Sequence, residues 1–229
     1  MSRLIVISPH LDDAVFSAWH LLGSNTTVLT VFAGEPPAGT EAWWDKLCGQ
    51  RDSVAMTKRR KSENEHALKP TKTQLIYLNF LDNQYRSQTV EVSSIVDEIL
   101  YKTNKDDEYM VNLTGGVWGH KDHILTRQAG IELMNKGRNV NFYLDIPYMG
   151  LPKYFLSLYI KFIEKEATRL LGVKANVKIA KLNEQQLRNK IQASLKYGSQ
   201  YKMTNLTSLG RLSRYINRGY EIEILTKDH

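Results

Sequence analysis

The stretch "RLIVISPHLDDAVFS", residues 3–17, runs from an apolar segment through a turn holding His10, Asp12 and Asp13 into a helical pattern. The run "RLIVIS" is β-branched and does not alternate, as expected of a parallel strand covered on both faces. Parallel strands need crossover connections, and the same strand-then-helix order recurs down the chain. "TTVLTVF" (26–32) precedes a helix around 51–68, "QLIYLN" (74–79) precedes "VEVSSIVDEILYK", and "YMVNLT" (109–114) precedes "DHILTRQAGIELMNKG". "VNFYLDI" (140–146) is the fifth strand. These units predict a Rossmann-like, doubly wound α/β fold with a mainly parallel sheet and helices on both faces. After Pro147 the pattern loosens into a helix around 152–171, a strand "NVKIAKL", a helix over 184–197 and a strand "YEIEILT". The expected organisation is a single domain over 1–229, with a Rossmann-like core over 1–147 and a basic C-terminal α+β elaboration over 148–229.

With 229 residues, 42% of them hydrophobic, the chain can bury one sizeable core. Cys48 is the only cysteine and cannot form an internal disulfide. No charged-then-apolar leader precedes the first strand, so a reducing, cytoplasmic compartment is expected. The most lipid-like piece, residues 151–172, is broken by Lys161, Glu164, Lys165 and Glu166, which argues against a membrane span. The net charge of +7 divides into −2 over residues 1–150 and +9 over 151–229. A basic last third suits either an anionic partner or a solvated helix surface, and because its cations are dispersed and no nucleic-acid motif accompanies them, no nucleic-acid partner is expected. Nothing in the sequence sets the oligomeric state.

A Rossmann-like sheet raises the question of a dinucleotide, which requires glycines at the first turn and a free helix N-terminus. Here the turn "SPHLDDA" has no glycine and places two carboxylates where phosphates would lie. Carboxylates at a helix start either cap the helix or bind a cation. A second stretch, "GGVWGHKDHI" (115–124), follows the fourth strand and supplies His120, Asp122 and His123. In a doubly wound sheet the first and fourth strands are neighbours where strand order reverses, and their C-terminal ends open on one crevice. Three histidines and three aspartates would therefore converge in one cleft. His, His and Asp with an open position is the composition of a catalytic zinc site, and the surplus residues suit proton transfer during hydrolysis.

Together these motifs resemble the PIG-L/LmbE-like N-acetylglucosaminide deacetylases. "SPHLDDAVFS" is similar to the family's first motif with Leu11 in place of proline, and "HKDH" (120–123) to its second. Lesser similarities are "TVFAGE" (30–35), "RKSENEHA" (60–67), "FYLDIPY" (142–148) and "KIQASLKYGSQ" (190–200). The resemblance implies a zinc-dependent hydrolase, with Fe²⁺ or another divalent ion as alternative metals, that removes acetyl from an N-acetylated amino sugar, a small-molecule substrate. It further implies His10, Asp13 and His123 as metal ligands and Asp12 as general base. His120 would stabilise the oxyanion or protonate the leaving amine, with Asp122 fixing its tautomer; the alternative for His120 is a purely structural role. Arg60 resembles an active-site arginine, its alternative being a helix salt bridge to Glu63. Trp118 stands where some members have a tyrosine, and Asp145 is the remaining acid of the "YED" segment. Arg60, Trp118 and Asp145 are the expected substrate contacts. In the loop over 34–50, Trp43 and Trp44 either stack on a sugar face or pack against the following helix.

Overall fold

The computed structural model describes residues 2–113, 119–145, 156–200 and 219–226. Seven strands form one sheet in the order β3-β2-β1-β4-β5-β7-β6, with β1 (Leu4–Ser8), β2 (Thr26–Thr30), β3 (Gln74–Tyr77), β4 (Glu108–Asn112), β5 (Asn139–Tyr143), β6 (Asn176–Lys181) and β7 (Tyr220–Leu225). The first five strands are parallel. Strand β1 lies between β2 and β4, with Leu4 opposite both Thr26 and Glu108, so strand order reverses at β1 as the sequence predicts.

The helices are α1 (Asp13–Ser17), α2 (Trp43–Leu47), α3 (Ser53–Leu68), α4 (Val92–Lys102), α5 (Lys121–Asn135), α6 (Leu156–Leu171) and α7 (Glu184–Ser194). Ile5 and Ile7 of β1 face a core shared with α4, α5 and α6 through Ile95, Ile99, Leu125, Leu133 and Ile163. Val6 faces the other core, with Val15, Phe16, Leu68 and Tyr197. Burial on both sides is why β1 reads as an unbroken apolar run rather than an alternating one. Helix α5 lies so close to the sheet that a Cβ on Gly130 would meet Val111 Cγ1 at 2.7 Å, which accounts for a glycine inside a helix.

The C-terminal elements do not stand apart. Strand β7 inserts antiparallel between β5 and β6, and α6 forms the crossover from β5 to β6. Ile222 and Ile224 enter the main core, while Glu221 and Glu223, on the opposite face, are buried as well. The helix expected over 184–197 ends at Ser194, and Tyr197 turns inward to pack on Phe16. No helix among the described residues is long and apolar enough to cross a membrane.

Candidate active site

The turn after β1 closes without glycine because side chains satisfy its backbone. Ser8 Oγ donates to the His10 carbonyl at 2.6 Å, and the His10 N–H donates to Asp13 Oδ2 at 2.8 Å. Asp12 occupies the N-cap position of α1 yet makes no side-chain cap hydrogen bond, so the capping alternative does not describe it. Its carboxylate faces the side-chain amide of Gln200, which arrives from beyond α7, and it lines a cleft of about 440 Å³.

At the neighbouring strand end, His120 is the N-cap of α5, its ring Nδ1 accepting the Asp122 N–H at 3.3 Å. His123 sits in the first turn of α5, and ligand atoms of His10, His120 and His123 lie within 4.8 Å of one another. Asp13 Oδ2 is 3.5 Å from His10 Nδ1 and 3.5 Å from His123 Nε2. Ligands about 2.0–2.2 Å from a tetrahedral ion sit about 3.3–3.6 Å apart, so each of these two distances suits a pair of groups on one cation; the other trios with ligand atoms all within 4.8 Å are His10, Asp82 and Asp122, and Asp13, His123 and Asp145. Behind each imidazole stands a second carboxylate: His10 Nε2 meets Asp122 Oδ2 at 3.0 Å and His123 Nδ1 meets Asp145 Oδ2 at 2.8 Å. These acids are held in turn. Asp122 accepts from Arg86 Nη2 and, at 2.9 Å, from the Asn83 N–H, while Asp145 accepts from Asn112 Nδ2 at 2.5 Å. A carboxylate behind each imidazole is the usual support of metal-binding histidines.

Charge in the cleft is unbalanced. Burial opposes ionisation of Asp13, yet His123 and His10 outweigh it and hold its pKa down to about 2. Burial, reinforced by the Asp13 charge, pushes its neighbour Asp12 up to about 7. Two adjacent carboxylates are thereby separated into one fixed anion and one group that exchanges a proton near neutrality. Burial would depress both His10 and His123, but Asp122 and Asp13 raise the first and Asp13 and Asp145 raise the second. Burial and the charge of His10 instead bring His120 down to about 4, leaving it neutral. A site that draws protons onto two histidines is one that attracts a cation.

The expected site residues divide into three groups. His10, Asp12, Asp13, His120 and His123 come together on the cleft, and Arg60 joins them there. Asp122 and Asp145 sit behind. The Asp122 carboxylate engages His10 rather than the His120 ring, which it meets only through its backbone N–H. Asp145, expected at the substrate, is fully buried and reaches His123 instead. Trp118 lies outside the described residues. Arg60 pairs with Asp45 at 2.9 Å, whereas Glu63 pairs with Arg59, so the expected alternative salt bridge belongs to the neighbouring arginine. Of the two loop tryptophans, Trp44 lines the cleft and Trp43 is 70% exposed. Sequence reasoning missed Arg86, Asn112, Asp45, Gln200 and the segment over 82–85. For Arg86 and the segment over 82–85 the local signal was the polar "LDNQYR" run shortly after the third strand, the usual place for ligand contacts in such sheets.

Histidines and aspartates gathered at the switch point of a Rossmann-like sheet define an α/β protein with a candidate metal centre of hydrolytic type. Residues 5–134, more than half of the chain, match the model of the PIG-L family, described as GlcNAc-PI de-N-acetylase. The chain belongs to this PIG-L/LmbE-like deacetylase family. No curated protein sequence matches it. Among solved structures, a triple mutant of a deacetylase of the teicoplanin biosynthetic pathway shares 24% identity over 99% of both chains, with a TM-score of 0.73. The zinc-inhibited form of teicoplanin deacetylase Orf2 shares 22% identity over 99% of both chains, with a TM-score of 0.69. An N,N′-diacetylchitobiose deacetylase from Pyrococcus horikoshii shares 14% identity over 98% of this chain and 84% of its own, with a TM-score of 0.58. These likenesses establish a shared fold.

Proposed function

We propose that this protein is a metal-dependent hydrolase that removes the acetyl group from an N-acetylated amino sugar, an N-acetylglucosamine-type unit of a small glycoside or biosynthetic intermediate. The observation that carries this reading is the pair of carboxylate-backed imidazoles converging on Asp13, with Asp12 beside them on the same cleft. His10, Asp13 and His123 would hold Zn²⁺, Fe²⁺ or another divalent ion. When bound, such an ion polarises an acyl oxygen and acidifies a water molecule.

The chain's own groups supply the proton transfers. Asp12, with its proton affinity near neutrality, takes a proton from the attacking water and returns it to the departing amine. His120 is neutral, and because its Nδ1 accepts from the Asp122 N–H, its Nε2 carries the hydrogen. That N–H donates to the oxygen on which negative charge develops. Arg86 and Asn83 keep Asp122 in place behind His10, and Asn112 does the same for Asp145 behind His123. The sugar assignment draws on the family's description and on the diacetylchitobiose substrate named for one structural neighbour. The nearness of the Gln200 side chain to Asp12 supports reading the elaboration over 148–229 and the core over 1–147 as one deacetylase domain.

The test is acetate release from N-acetylglucosamine, N,N′-diacetylchitobiose and an N-acetylated amino acid, with Zn²⁺ or Fe²⁺ supplied and with metal chelated. Asp12→Asn keeps shape but cannot take a proton, so it should fold and retain metal while kcat falls roughly 100- to 10,000-fold. Unimpaired turnover in that variant removes Asp12 as the base. Release from the amino acid alone removes the sugar.

A further inference from the structure

Helix α2, only five residues long, carries Trp44 into the cleft. So short a helix has little stability of its own, and α2 has no side-chain N-cap bond, so tertiary contacts must place it. One contact is modest: the Ala42 N–H donates to Ser53 Oγ at 3.0 Å. The other is a closed triangle. Asp45, fully buried, meets Arg60 Nη2 at 2.9 Å through Oδ1 and accepts the Tyr85 hydroxyl at 2.7 Å through Oδ2. Arg60 Nη1 closes it by donating to Tyr85 Oη at 3.3 Å. The triangle joins α2, α3 and the segment over 82–85, the three pieces of chain that bring Trp44, Arg60, Asn83 and Gln84 to the cleft. Two hydrophobic residues and a polar one would fill the same volume without the desolvation cost of a buried ion pair, so what this arrangement provides is geometry.

We propose that Asp45 and Tyr85 are positioning residues for substrate recognition: through Arg60 they hold Trp44 at the angle where its indole covers the face of a second sugar ring, the one not being deacetylated. The proposal rests on the amino-sugar reading of the site. Indole is rigid and broad, and such a platform gains affinity only while its orientation is held. Loss of the triangle therefore weakens binding of the part of the substrate remote from the amide and spares the chemical step, as for any interaction made equally in ground and transition states.

The experiment is steady-state acetate release by Tyr85→Phe, Trp44→Ala and the double variant, on N,N′-diacetylchitobiose and on N-acetylglucosamine. Tyr85→Phe deletes one hydroxyl and leaves the Arg60–Asp45 pair, so folding should survive. For the disaccharide its KM should rise about fivefold, the effect of losing one hydrogen bond, with kcat within about twofold. For the monosaccharide, which has no second ring, KM should rise less than for the disaccharide. The double variant should be no worse than Trp44→Ala alone. Equal KM changes on both sugars, a fall in kcat instead, or additive losses in the double variant would overturn the proposal. If the wild type releases acetate from neither sugar, the amino-sugar reading fails by itself, and tryptic cleavage after Lys46 and Arg51 still reads the anchor. Faster cleavage in Tyr85→Phe supports it, and unchanged cleavage overturns it.

Discussion

Two buried histidine–carboxylate clusters occupy this fold, and they differ in charge balance. His20, just after α1, meets Glu221 Oε2 through Nδ1 at 2.5 Å and Glu223 Oε1 through Nε2 at 3.0 Å. Lys190, itself buried, pairs with Glu221, and Lys178 pairs with Glu223 at 2.9 Å. Two carboxylates thus face three cationic side chains, and both ring nitrogens of His20 are engaged. Around His10 and His123 the acids are Asp12, Asp13, Asp82, Asp122 and Asp145, with Arg86 the cation on Asp122 and Arg60 acting on Asp12. There His10 Nδ1 and His123 Nε2 share one carboxylate oxygen at a distance longer than an ordinary hydrogen bond. His20 also borders a pocket, of about 320 Å³, so an adjoining cavity does not by itself distinguish the two clusters. The balance of charge does: five carboxylates gather on two imidazoles and two arginines around His10 and His123, whereas two carboxylates face three cationic groups around His20. One cluster ties β7 to α1 and α7; the other is the candidate metal site.

The largest expected effect sharpens this contrast. His10→Ala, Asp13→Ala and His123→Ala should each lose bound metal and acetate release together, while Glu223→Gln in the balanced cluster should lose neither. Metal analysis of the purified variants decides it, and full occupancy in all three would end the ligand assignment. Next in size, Lys190→Met should destabilise the fold by about 3–5 kcal/mol in urea unfolding, because Glu221 is left buried beside His20 without its lysine. Metal content per folded chain should stay unchanged. A neutral outcome would show that water or His20 alone satisfies Glu221.

The smallest effect is on pH dependence. Burial would lower the pKa of His20, but Glu221 and Glu223 raise it from 6.5 to about 8. A raised histidine stabilises the fold fully below its unfolded value of 6.5 and loses that contribution as pH climbs through about 8. The shift corresponds to about 2 kcal/mol. Glu221 behaves oppositely. Held at about 2 by Lys190 and His20 against the cost of burial, it stabilises above 4.5 and loses its contribution only in strong acid. Melting temperature should therefore fall between pH 6 and pH 9, and His20→Gln should flatten that fall. An equal slope in both proteins would remove His20 as its source.

Sequence patterns were enough for the five parallel strands, the switch point at β1 and the two turns that carry chemistry, because apolar periodicity and turn composition are local. The strand expected at "YEIEILT" forms as β7, but its local pattern does not tell that Glu221 and Glu223 are both buried. Lys190, Lys178 and His20, which make this tolerable, come from three other elements. The same limit explains why Asp145 was expected at the substrate. Its spacing from the fifth strand is local, but its burial behind His123 depends on how α5 packs on the sheet.

By itself, then, the sequence determined the order of strands and helices and the presence of His10, Asp12, Asp13, His120, Asp122 and His123 at two strand ends that must share a crevice. Only the tertiary structure decided which acid supports which imidazole. Asp122 reaches His10 across 112 residues of chain, and Arg86, Asn83 and Gln200 meet the site from loops whose paths no local pattern encodes. The physical reason is that backbone propensities act over a few residues. The balance of buried charge, which separates Asp12 from Asp13 and the candidate metal site from the His20 cluster, is set by groups that meet only when the chain is folded.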